Sequence, residues 1–144
     1  MAVIAIASDH GGFELKQAVA KVLSDEGYEI VDIGPNDNEP VDYPIYGKAC
    51  ARAILEGKAQ KGIVICGTGI GISIAANRYK GIRCALVHSE EYAKLAAEHN
   101  DANMIALGGR FTETEDAVRY IKAWLNTPFG EGRHSRRVAE LDED

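Results

Sequence analysis

Apolar and polar residues come in blocks along this chain, with short β-rich runs alternating with helical stripes from end to end. Ala2–Ala7 is an unbroken apolar run that stops at Ser8-Asp9-His10-Gly11-Gly12. Leu15, Ala18, Val19, Val22 and Leu23 then recur three and four apart, one stripe of a helix, and Gly27 is a natural stop. Glu29–Ile33 reads as a second strand, followed by a turn-rich loop from Gly34 to Pro44. Tyr46, Ala49, Cys50, Ala53 and Ile54 form the next stripe, ended by Gly57. Gly62–Cys66 is the third strand, and its helix carries Ile72, Ala75, Ala76 and Tyr79. Arg83–Val87 is the fourth, followed by a stripe of Tyr92, Leu95, Ala96 and His99. Met104–Leu107 is the fifth, and Ala117, Tyr120, Ile121, Trp124 and Leu125 mark the helix after it, broken at Asn126-Thr127-Pro128. A last short helix is predicted over about His134–Leu141.

Five successive βα units predict a three-layer αβα sandwich: a Rossmann-like, five-stranded parallel sheet with helices on both faces and a C-terminal helix. Continuous rather than alternating apolar strands suit burial on both sides. No repeat or linker divides residues 1–144, so one domain is expected. In such sheets, ligands bind outside the carboxyl ends of the strands.

Charge narrows the partners. Sixteen Lys and Arg against 22 Asp and Glu leave a net charge of −6, the wrong field for a general nucleic-acid binder. The cations are unevenly spread, since Arg133, His134, Arg136 and Arg137 fall within five residues. Either they are the solvated face of a terminal helix, or Arg133 and Arg137, one turn apart, clamp a small anion such as a phosphate. Three cysteines without a secretory leader suggest a reducing, cytoplasmic setting, and no run is apolar for long enough to span a membrane.

The strand ends carry the chemistry. Asp9 and His10 follow strand one, Cys66-Gly67-Thr68-Gly69-Ile70-Gly71 follows strand three, and Gly109-Arg110 follows strand five. His99 and Asn100 come one helix after strand four and are expected in the same crevice, with His99 facing inward. The glycine loop matches neither the dinucleotide fingerprint, since Ile72 stands where a third glycine belongs, nor a P-loop. It is either a tight turn or a set of exposed N–H groups for phosphate or an oxyanion. Cys66 beside those donors is a candidate nucleophile or base, whereas Cys50 and Cys84 read as small core hydrophobes. Asp9 is either a helix cap or a carboxylate that handles hydroxyl protons. His99 is either a satisfied core histidine or an acid–base group.

Together, Ile6-Ala7-Ser8-Asp9-His10-Gly11-Gly12, Tyr43-Pro44, Cys66–Gly71 with Ala75-Ala76-Asn77, Gly81-Ile82-Arg83, His99-Asn100, Asn103, Gly108-Gly109-Arg110 and the Arg133/Arg137 pair resemble type B ribose-5-phosphate isomerases. That family includes isomerases of galactose and allose 6-phosphates. The resemblance covers essentially the whole chain. It implies an enzyme of the non-oxidative pentose phosphate pathway that interconverts ribose 5-phosphate and ribulose 5-phosphate through an enediolate, without metal or other cofactor. By similarity, Cys66 is the base moving a proton between C1 and C2, with Thr68 beside it. His99 is the proton donor that opens the furanose ring, with Asp9 as its partner. Asp9, His10, Tyr43, Gly67, Thr68, Gly69, Ile70, Gly71, Asn100, Arg110, Arg133 and Arg137 match substrate-binding positions. The resemblance further implies a homodimer or homotetramer with sites at the subunit interface. One branch replaces the cysteine by a glutamate early on the next helix, and Ile72 at that position puts this chain in the cysteine branch.

Two other readings remain at this level. A flavodoxin-like module could bind a sugar phosphate without turning it over, leaving Cys66 and His99 idle. A signalling receiver would want an aspartate and a lysine where Cys66 and Gly108 stand.

Overall fold

The apolar runs assemble into one five-stranded sheet in the computed structural model, which describes residues 2–144. Strands β1 (Val3–Ser8), β2 (Glu29–Gly34), β3 (Lys61–Cys66), β4 (Cys84–Leu86) and β5 (Met104–Gly108) lie in the order β2-β1-β3-β5-β4, all parallel. Helices α1 (Phe13–Asp25), α4 (Glu90–Asn100) and α5 (Thr114–Leu125) cover one face. Helices α2 (Tyr43–Leu55) and α3 (Ile70–Ala76) cover the other. A sixth helix, α6 (Arg133–Glu140), packs on α4 outside these layers.

Strand pleating assigns the side chains. Ile4, Ile6, Ile63 and Ile65 enter the α1/α4/α5 core, while Ala5, Ala7, Val64 and Cys66 enter the α2/α3 core. Cys66 therefore points toward the two helices whose first turns flank the carboxyl end of β3. One ion pair lies beneath this end of the sheet. The Lys16 ammonium, fully buried, donates to both carboxylate oxygens of Asp32 on β2 at 2.8 and 2.9 Å.

Two elements are shorter than their patterns predict, for one reason. Asn77, just past α3, donates to the Cys84 carbonyl and accepts from the Cys84 N–H. The Asn103 side chain takes the Arg83 N–H. Asn103 holds the N–H that would have extended strand four to Arg83, and Asn77 ties the end of α3 to β4 before Tyr79.

Helix α4 corrects an expectation. Its inward face is Ala93, Ala96 and Ala97, not the stripe of Tyr92, Leu95, Ala96 and His99. Tyr92 is 57% exposed and the His99 side chain 40% exposed. The helix packs closely against α5, and alanines permit that approach where larger side chains would hold it off. His99 is thereby rotated to the margin, toward α6.

Candidate active site

The loop after β3 is shaped by where its glycines let the chain go. Gly69 adopts φ +81°, a left-handed conformation that suits glycine, and a Cβ there would fall 2.7 Å from Leu86 Cδ1 and 2.9 Å from the Leu107 carbonyl carbon. Held so, the Gly69 N–H donates to Cys66 Sγ at 3.2 Å. Cys66 is 5% exposed, at the edge of the core rather than inside it. The Ile70 N–H donates to Thr68 Oγ1 at 3.1 Å, which leaves the Thr68 O–H free to donate outward. Among the described residues, the N–H groups of Gly67, Thr68 and Gly71 have no intramolecular acceptor.

The other two cysteines are of a different kind. Burial pushes the Cys50 thiol up to about 12, against a weak opposing contact with the Ile63 carbonyl, and burial raises Cys84 as well. Both are inert core thiols.

Three further segments meet the loop. Asp9, nearly buried, accepts the Gly12 N–H on Oδ1 at 3.1 Å, capping the turn His10–Gly12 while its second oxygen stays available. The cap reading of Asp9 thus holds in the structure. His10 accepts the Val41 N–H on Nδ1 at 3.2 Å, so a neutral ring carries its proton on the outward Nε2. A Cβ on Gly67 would lie 2.9 Å from Arg110 Nη1, and one on Gly71 would lie 2.7 Å from the Tyr43 ring. The guanidinium and the phenol therefore lie directly over the glycine loop. A cleft of about 370 Å³ between His10, Gly11, Glu14, Asn38 and Arg110 opens beside them.

His99, Asn100, Arg133 and Arg137 are not in this crevice. Helix α4 leaves the carboxyl end of β4 and runs back for 11 residues, a rise of about 16 Å, before the chain enters β5 at its amino end. The Asn100 carbonyl accepts from Arg83 Nε beside the start of β4, whereas Cys66 pairs with Gly108 at the far end of β5. The expectation of one crevice per chain, with His99 beside Asp9, is therefore corrected. A second group forms instead: the His99 ring stacks on His134 with centroids 4.4 Å apart and planes 16° off parallel. Arg133 and Arg137 flank it from α6, both exposed.

Sequence reasoning noted His134 only as a cation in a cluster. A residue number of 134 against 99 carries no signal of ring stacking. Phe111, 80% exposed, also went unassigned; with Thr68, Ile70, Leu86 and His88 it borders a mostly apolar cavity of about 500 Å³.

Known proteins share this fold. The Ribose/Galactose Isomerase family profile matches residues 4–141. The chain is 45% identical over 142 residues to ribose-5-phosphate isomerase B of Escherichia coli (strain K12), covering 98% of this chain and 95% of that protein. It resembles the crystal structure of a ribose 5-phosphate isomerase from Thermotoga maritima with a TM-score of 0.98 and 48% identity, covering 99% of each chain. Ribose-5-phosphate isomerase B of Mycoplasma genitalium, with bound ribulose-5-phosphate, matches at a TM-score of 0.92 and 38% identity over 96% of this chain and 93% of that one.

Proposed function

The chain belongs to the ribose/galactose isomerase family, and on that premise we propose how its residues work. It is an isomerase that interconverts ribose 5-phosphate and ribulose 5-phosphate. Residues 1–144 act as one isomerase domain, in the non-oxidative pentose phosphate pathway and in the cytoplasm, where three free thiols suit a reducing environment.

Cys66 as thiolate takes the proton from C2 of the open aldose. Electrons move onto O1, giving an enediolate, and the same thiol returns the proton at C1 while the O2 proton passes to O1. The Gly69 N–H on sulfur is the observation that carries this role, because it fixes Sγ at the mouth of the loop, beside the free backbone donors. The unpartnered N–H groups of Gly67, Thr68 and Gly71, with the Thr68 hydroxyl, face the developing oxyanion. One such preorganised donor is typically worth about 3–4 kcal/mol of barrier.

The furanose must open first. A proton leaves O1 for a base such as Asp9, the C1–O4 bond breaks, and His99 supplies the proton to O4. His99 and Asp9 lie at opposite ends of the sheet in one chain, so a second copy supplies His99, Asn100, Arg133 and Arg137 to each Cys66 crevice. Exposed Tyr43, Ile45, Ile70, Ile74 and Phe111 give the contact its apolar surface. His10, Arg110 and the partner copy's arginine pair then hold the phosphate, turning remote binding energy into alignment at C1 and C2.

The decisive test is turnover of ribose 5-phosphate, alongside allose and galactose 6-phosphates. Ketose should appear fastest from the pentose. Binding of all three sugar phosphates with no ketose formed would leave only a binding module.

A further inference from the structure

Helix α6 is fastened to α4 at its entry. The Gly130 N–H, in the loop entering α6, donates to the Glu98 carbonyl at 2.9 Å, and a Cβ on Gly130 would fall 3.1 Å from that oxygen and 3.5 Å from His134 Cδ2. One residue on, the His99 imidazole lies flat on the His134 ring. On its other side, His99 Nε2 stands 3.5 Å from Glu98 Oε1, too far to fix the ring alone. Both of these imidazoles are partly exposed, and the His134 ring lies against the flat face of His99.

We propose that His134 is a positioning residue, the platform whose ring sets the aim of His99, so that the helix bearing the phosphate arginines also orients the ring-opening group. Granted the role of His99 proposed above, on which this rests, phosphate docking and acid placement become one mechanical event. His134 is disfavoured as a third cation of the clamp. Burial, then the neighbouring His99, Arg133 and Arg137, hold it below the ordinary histidine range, and only Glu98 opposes them. Two cationic rings 4.4 Å apart would repel, so the stack tolerates one charge. His134, held toward its neutral form, offers a flat surface on which the His99 ring rests.

The test compares His134→Phe, which keeps a ring, with His134→Ala, which removes it. Two substrates separate the steps. Ribose 5-phosphate must be opened, whereas ribulose 5-phosphate cannot close a furanose through its phosphorylated O5, so solvent-deuterium wash-in at its C1 reports proton transfer alone. His134→Ala should lower kcat on ribose 5-phosphate by about tenfold, with wash-in and inhibition by inorganic phosphate unchanged, and His134→Phe should restore activity to within about threefold. Unchanged phosphate inhibition also shows that α6 remains docked. Adding His134→Ala to His99→Asn should cost nothing more, since the platform acts only through His99.

Phe as damaging as Ala, together with weakened phosphate inhibition, would make His134 a clamp residue and overturn the platform. Equal loss of wash-in would reduce it to a general structural role. If His99→Asn alone leaves ribose 5-phosphate turnover intact, the ring-opening reading fails separately from this one.

Discussion

The Gly69 N–H points at the Cys66 sulfur from 3.2 Å, and it does so because Gly69 alone in the loop takes a left-handed backbone conformation while pressed against Leu86 and Leu107. A backbone conformation, rather than a charged side chain, sets the donor that reaches this sulfur.

Gly69→Ala should therefore hurt twice. The left-handed residue costs about 1–2 kcal/mol for a side chain, and the clash with Leu86 adds to it. The displaced N–H should lower kcat more than it raises KM. Urea unfolding and steady-state kinetics of the variant check both halves.

Iodoacetamide should label one thiol per native chain, with loss of activity in step and protection by ribose 5-phosphate. Cys50, pushed up to about 12 by burial, and Cys84, raised likewise, stay protonated and unlabelled at neutral pH. Peptide mass spectrometry locates the label at Cys66. Cys66→Ala should cost about 10²–10⁴-fold in kcat, the usual range for a removed proton-transfer group.

Mixing two inactive variants should restore activity if each site draws on two copies. In Cys66→Ala/His99→Asn hybrids one site of each pair is intact, so random reassociation of dimers should recover about a quarter of wild-type turnover. No recovery, with hybrids verified by native mass spectrometry, would return His99 to a site within its own chain.

The Lys16–Asp32 pair should respond asymmetrically. Asp32→Asn strands a fully buried ammonium and should cost about 3–5 kcal/mol. Lys16→Met leaves a carboxylate whose side chain is 38% exposed and which still accepts the Gly34 N–H, so about 1–2 kcal/mol is expected. Denaturant midpoints order the two.

Acid should loosen α6. His134 has a lower pKa docked than its ordinary 6.5, so its neutral form favours docking. That contribution is complete above 6.5 and fades as pH falls through the lower docked value, where the free helix takes up a proton that the docked one resists. Amide exchange over residues 133–140 should show protection falling faster with acid in the wild type than in His134→Phe.

Much of this was legible beforehand. The order of strands and helices followed from apolar periodicity, and the placement of Asp9, Cys66 and Arg110 at strand ends followed from the βα alternation. These are local properties: a period of two or of 3.6, and a glycine where a chain must turn, show themselves within a few residues. Periodicity did not reveal which face of α4 turns inward. Tyr92, Leu95, Ala96 and His99 fit the helical period as well as Ala93, Ala96 and Ala97 do. The closeness of α5 selects the small residues, and closeness is a tertiary quantity.

The sequence by itself determined the parts: an α/β chain, a thiol at the head of a glycine loop, and arginines one turn apart. Only the tertiary structure decided their grouping. The strand order β2-β1-β3-β5-β4 and the length of α4 put Cys66 with Asp9, His10, Tyr43 and Arg110, and put His99 with Asn100, His134, Arg133 and Arg137. A crossover helix must run the height of the sheet before the next parallel strand can begin, so residues at its two ends are held apart however near they stand in sequence.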